Sequence, residues 1–172
     1  YVADCPIWTS ELEYQASIRV LSKQSDNSLT EVSRLPILEP EWAIHGMYLA
    51  SETSDKRLAV LSGSQPVYPV DNLSTTLALP NNVDNDFVIE VYNVNQPMSI
   101  GTAETIRVDG RLLSSRRIDN MLYVVSAYVP QVEGIEFAAI DEATRLENYK
   151  KILDFPISEL MPSIYFNGQR QN

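Results

Sequence analysis

Two stretches of this chain repeat one order of strands and turns, and no other feature limits its fold so tightly. When Ile18–Ser22 is laid over Ile89–Asn93, and Arg57–Leu61 over Met121–Val125, the two series stay in step. The displacement is about 64 to 71 residues, with variable loops between. Self-similar units of this kind stack to share a core that a single unit cannot bury alone.

The later series is the clearer one. "FVIEVYNV", Phe87 to Val94, mixes β-branched and aromatic residues in partial alternation, and "NQPM" closes it. "IGTAETIRV" then returns, Gly110 separates it from "RLLSSRRI", and Asp119-Asn120 turns the chain into "MLYVVSAYV". The earlier series runs through "YQASIRVLS", the turn "KQSDN", "SLTEVSRLPIL", "WAIHGMYLAS", the turn "ETSD" and "KRLAVLSG".

With the strands of a four-stranded unit labelled A to D from the inside outwards, "YVA" is a short B fragment. C, D, A, B, C, D, A and B follow it. This order predicts a mainly β fold, part of a β-propeller, with about two four-stranded blades' worth of strands and a short C-terminal helix. All of it falls in one partial propeller domain over residues 1–172. A mixed-strand sandwich with similar turns is the alternative. Closed rings use roughly four to eight blades, so remaining blades, other copies or an unusual closure are expected to cover the open faces and edges.

Two segments break the strand pattern. Residues 63–86, "GSQPVYPVDNLSTTLALPNNVDND", read as a long B-to-C loop with room for a short strand at "STTLAL". In "DEATRLENYKKILDF", residues 141–155, Leu146, Tyr149, Ile152 and Leu153 share one helical face, and Glu147 lies four before Lys151. Asp141 is placed to cap that helix and Pro156 to stop it. Docking on the β body is expected; a protein-binding helix is the alternative.

The chain carries 23 acidic residues against 13 lysines and arginines, a formal charge of -10. That field repels phosphate backbones, so no nucleic acid is expected as a partner. Cys5 is the only cysteine, which leaves no disulfide or cysteine-rich zinc site within the chain. No apolar run reaches the ~18 residues of a bilayer-spanning helix, so direct membrane insertion is not expected. "YVADCPIW" opens abruptly without a methionine and reads as the start of a processed or trimmed segment.

"VIEVYNVNQPMSIGTAETIRVDGRLLSSRRIDNMLYVVSAYV" resembles the secreted β-propeller domain family of bacteria and archaea that is distantly related to WD-repeat propellers. Tyr92, Asn93, Val94, Pro97, Gly110, Ser114, Ser115, Arg116, Leu122, Tyr123 and Val124 carry the resemblance. It extends over Lys56 to Asn172, and "ISELMP" is similar to a family segment ending in "LLP". The resemblance implies a secreted or cell-envelope scaffold, with possible protein or glycan partners and the remaining blades. It supplies no reaction, and no cofactor is expected.

On a regular strand Arg116 and Arg117 face opposite sides, which disfavours a two-arginine phosphate clamp. Arg116 is read as a structural ion-pair member, together with Gly110, Ser114, Ser115 and Tyr123 as structural positions. Arg117 and Tyr68, the latter set among prolines in the long loop, are the binding candidates. The one imidazole, His45, reads as a satisfied strand histidine, so neither a hydrolase triad nor a histidine-rich metal site follows. Asp84 and Asp86 read as a solvated turn, and nothing fixes Glu39 and Glu41 at the spacing of a glycosidase pair. A noncatalytic binding scaffold leads. A purely structural segment, or a hydrolase completed by groups from missing blades, stands as the alternative.

Overall fold

The computed structural model describes residues 1–4, 8–9, 12–13, 16–39, 42–50, 54–64, 86–101, 104–130, 132–136 and 141–171. The strands run β1 (Val2–Asp4), β2 (Trp8–Thr9), β3 (Leu12–Glu13), β4 (Ser17–Lys23), β5 (Leu29–Pro36), β6 (Ala43–Ala50), β7 (Arg57–Gly63) and β8 (Asp86–Asn93). They continue as β9 (Glu104–Asp109), β10 (Arg111–Ile118) and β11 (Met121–Ala127). Helices α1 (Glu142–Asp154) and α2 (Ile157–Leu160) precede the short strands β12 (Ile164–Phe166) and β13 (Gln169–Gln171).

The described strands pair antiparallel throughout. A leading sheet has the order β1-β4-β5, a central sheet β13-β12-β9-β8-β7-β6, and β10 pairs with β11; β2 and β3 form a separate small pair. Read in chain order, β1, β4 and β5 take the B, C and D positions, β6 to β9 form a whole A-to-D unit, and β10 and β11 are the next A and B. This is the order read from the sequence. The two A strands repeat in detail: β6 is irregular at Ile44/Gly46 and β10 at Leu112/Ser114. His45 and Leu113 are thus the extra residues of matching bulges.

The central sheet is buried on both faces. Leu58, Val60 and Tyr92 join Ile18, Val20 and Leu35 of the leading sheet in one cluster. Leu61, Phe87 and Ile89 form the other, with Leu112, Leu122 and Val124 packed against them. Alternation along β7 sends Leu58 and Val60 one way and Ala59 and Leu61 the other, which is why "RLAVLSG" is nearly all apolar. Each fully buried side chain of this size contributes about 1.5–3 kcal/mol.

Turns close the units with specific chemistry. Asn93 and Asn95 both donate to Asp55 Oδ1 at 3.2 Å, and Val94 N donates to Lys56 O at 3.0 Å. The "YNV" segment therefore ties the end of β8 to the β6–β7 turn. Gly110 alone connects β9 to β10, with φ of 108°, and a Cβ there would lie 2.9 Å from Ala127 O. Only glycine fits such a one-residue crossing.

The C-terminal part departs from the sequence reading in two ways. The hairpin β12–β13 turns at Asn167 (φ 47°) and Gly168 (φ 80°) and adds to the outer edge of β9, widening the central sheet to six strands. Helix α1 forms with Thr144 N donating to Asp141 Oδ1 at 2.8 Å, but none of its residues is buried. Polar bonds hold it instead: Asn148 bonds both backbone groups of Glu136, and Lys151 Nζ donates to Gly134 O. Leu146, Tyr149 and Leu153 stay exposed. Of the long loop read over 63–86, residues 65–85 lie outside the described residues.

Candidate functional site

The segment that leaves β5 crosses onto the central sheet at Leu38 and Glu39, and charged side chains gather there. Arg107, on β9 opposite Val88, donates through Nη1 to Asp86 Oδ2 and through Nη2 to Glu39 Oε1, each at 2.5 Å. Its guanidinium lies 5.3 Å from the centroid of the Trp42 ring. Burial pulls the Arg107 pKa down, but the Glu39 and Asp86 carboxylates outweigh it and raise it. The cation is therefore permanent. Asp86 Oδ1 is buried and has no hydrogen-bond partner among the described residues.

A second acid lies deeper. Glu90 is 4% exposed, accepting from Tyr92 Oη at 2.8 Å and from Leu38 N at 3.2 Å. Burial pushes its carboxyl up, against the lowering pull of those two donors. The Tyr92 hydroxyl is also raised, by burial first and by the neighbouring Glu90 charge. Glu90 thus pins the crossing segment to β8, while Arg107 pins it to β9.

Beside these groups opens a cleft of about 330 Å³, lined by Leu38, Val88, Thr105, Arg107, Tyr165 and Gly168. Thr105, Arg107 and Tyr165 share one face of the sheet because Thr105 pairs with Glu90 and Arg107 pairs with both Val88 and Tyr165. The added hairpin β12–β13 builds the outer wall.

A second polar junction joins the two inner strands. Tyr48 Oη lies 2.9 Å from Ser115 O and 2.8 Å from Ser115 Oγ, and Arg117 Nη1 donates to Leu49 O at 2.5 Å. A family profile described as a beta propeller domain matches residues 7–172. The chain belongs to that β-propeller domain family. Neither a curated protein nor a solved structure matched the chain.

In propeller terms, the first blade is represented by β1, β4 and β5, the second is β6–β9 with its added hairpin, and the third is represented by β10 and β11. The expected site residues fall unevenly on this frame. Arg117, read as ligand-facing, bridges the inner strands of the second and third blades. Arg116, read as the ion-pair member, is exposed, and no hydrogen bond or salt bridge joins it to another described residue. The reason is the bulge, which shifts the alternation so that Leu112, Ser115 and Arg117 turn towards the second blade.

Ser115 O accepts from Tyr48 Oη, Gly110 makes the blade-to-blade turn, and Ser114 and Tyr123 are exposed. His45 sits exposed at its bulge on the inner strand. Tyr68, Asp84 and Glu41 lie outside the described residues. Sequence reading missed Arg107, Glu90 and Trp42, because their partners come from segments up to 68 residues away. Among the described residues no helix is long and apolar enough to cross a membrane.

Proposed function

We propose that this propeller chain is a noncatalytic scaffold that binds a protein or glycan at the cell envelope or outside the cell. The observation that carries the reading is the pairing at the cleft. Glu39 and Asp86 are each ion-paired with Arg107, and Glu90 is held by Leu38 and Tyr92, so these groups position a surface. General acid–base work asks instead for a carboxyl that reaches a reacting atom with a free proton-transfer path. The extracytoplasmic placement draws support from the resemblance carried by Ser114, Ser115, Arg116 and Tyr123.

The test is a binding screen against glycans and envelope proteins, run beside chromogenic glycoside and ester substrates. Saturable binding without turnover agrees with the reading. Turnover that disappears when Glu39 or Asp86 is replaced contradicts it.

A purely structural role is favoured by a different observation. Tyr123 and Val125 stand where the repeat places Ala59 and Leu61 in the second blade; Leu61 is fully buried, whereas Tyr123 is 53% and Val125 56% exposed. With Ile118 and Met121 they form, beside Ser114 and Arg116, a largely apolar face of the kind that a further blade covers.

A further inference from the structure

The cleft beside Arg107 is the strongest candidate for a ligand site, and its chemistry selects among ligands. Its lining is mostly apolar, with Leu38, Val88, Tyr165 and Gly168 beside Thr105 and Arg107. At about 330 Å³ it has the size of a small-molecule pocket.

The polar groups around it offer donors and acceptors together. A guanidinium has five N–H donors. Two go to Glu39 and Asp86, and no other described residue takes the rest. On the acceptor side, Glu39 Oε2 is engaged by no described residue, and Thr105 Oγ1 makes only a 3.4 Å contact with Asn167 Oδ1. Arg107 lines the cleft and is 35% exposed; Glu39, paired with it and 37% exposed, stands beside that wall.

Two carboxylates against one guanidinium leave the site without net positive charge, which disfavours phosphate, sulfate or carboxylate ligands. An ammonium could bond to Glu39 Oε2 but has no acceptor for the spare Arg107 N–H donors. A neutral ligand whose every polar group both donates and accepts fits this mixture, and its apolar face can lie on Tyr165.

We infer that the cleft formed by Leu38, Val88, Thr105, Arg107 and Tyr165 binds one neutral pyranose ring of a glycan, stacked on Tyr165 and hydrogen-bonded to Arg107 and Glu39. This rests on the reading of the chain as a binding scaffold and names the ligand class of that site.

The experiment titrates the full chain with methyl glycosides of glucose, galactose, mannose and N-acetylglucosamine, followed by two-dimensional NMR. Inorganic phosphate and an apolar hexapeptide are run as competing probes. At least one glycoside is expected to shift the Thr105, Arg107 and Tyr165 resonances saturably. Tyr165→Ala is expected to weaken that binding about tenfold, and Thr105→Val by a smaller factor, with unchanged strand signals showing that both variants fold. Three results overturn the proposal: no glycoside binds, a glycoside binds with equal strength to Tyr165→Ala, or only the phosphate or the peptide shifts the cleft. Hydrolysis of a bound glycoside would count against the noncatalytic reading and leave the ligand class standing.

Discussion

Replacing Gly110 with alanine strikes the tightest joint in the molecule. Gly110 alone carries the chain from the outer strand of the second blade to the inner strand of the third, at φ 108°. Two costs add there. Holding an L-residue in a sparsely populated backbone region costs about 1–3 kcal/mol. A Cβ 2.9 Å from Ala127 O and 3.2 Å from Ala127 C adds an overpacking cost of about 1–3 kcal/mol, because the obstacle is backbone and cannot swing aside. The sum is about 2–6 kcal/mol, a large share of a typical domain stability of about 5–15 kcal/mol.

Two other glycines separate these causes. Gly168 has φ 80°, and a Cβ there would meet nothing within 4 Å, so Gly168→Ala is expected to lose only the backbone share, about 1–2 kcal/mol. Gly101 has open space and no left-handed φ, so Gly101→Ala is expected to stay within about 0.5 kcal/mol of the parent. Urea denaturation followed by circular dichroism gives the three values. If Gly110→Ala proves no more costly than Gly168→Ala, the close approach to β11 is wrong and the blade crossing must be redrawn.

Further outcomes follow from the polar junctions. Burial raises the Glu90 pKa in the fold, so its contribution to stability is fully present below the unfolded carboxyl value and is lost as pH rises through the folded one. Glu90→Gln should therefore flatten that share of the pH profile and gain on the parent towards neutral pH, as read by thermal melts from pH 4 to 8; an unchanged pH difference would falsify it. Arg107→Ala leaves Glu39 and Asp86 facing each other without a cation and should cost about 1–3 kcal/mol, discounted because the group is 35% exposed. Adding Glu39→Ala should restore part of that loss, and strict additivity of the two would show that the pair is not coupled. Tyr48→Phe removes both contacts of its hydroxyl with Ser115 and Ser115→Ala only the Oγ one, so each should cost about 0.5–1.5 kcal/mol, Tyr48→Phe the more, and the two should combine non-additively in a double-mutant cycle because they share that Oγ contact.

The strand order was legible because each strand carries its own local signals. Ile18 over Ile89 and Arg57 over Met121 mark the same positions of neighbouring units, and the structure keeps those registers. The hairpin at Asn167-Gly168 carried an equally local signal, an Asn-Gly pair between short β-rich runs, and was overlooked because the segment lies outside the repeat. The arginine roles were hidden for another reason. A one-residue bulge in β10 inverts the side on which later residues fall, and nothing in "RLLSSRRI" announces where it lies. The Arg107 cluster was the least legible, since Glu39, Asp86 and Tyr165 meet it only after three strands and a crossing segment are in place. Helix α1 shows the limit of periodicity: the apolar stripe was real, but amphipathic pattern does not state what covers it.

The claim on which the rest depends is that the second blade lies between two others and is packed on both faces. Methyl-labelled NMR on the full chain tests it most directly. The account predicts contacts of Leu58 and Val60 with Ile18 and Val20, and contacts of Leu61 with Leu122 and Val124. Leu58 and Leu61 should share no partner across the sheets. If instead both report the same partner set, the central sheet has one buried face, and the stacked-blade arrangement is contradicted.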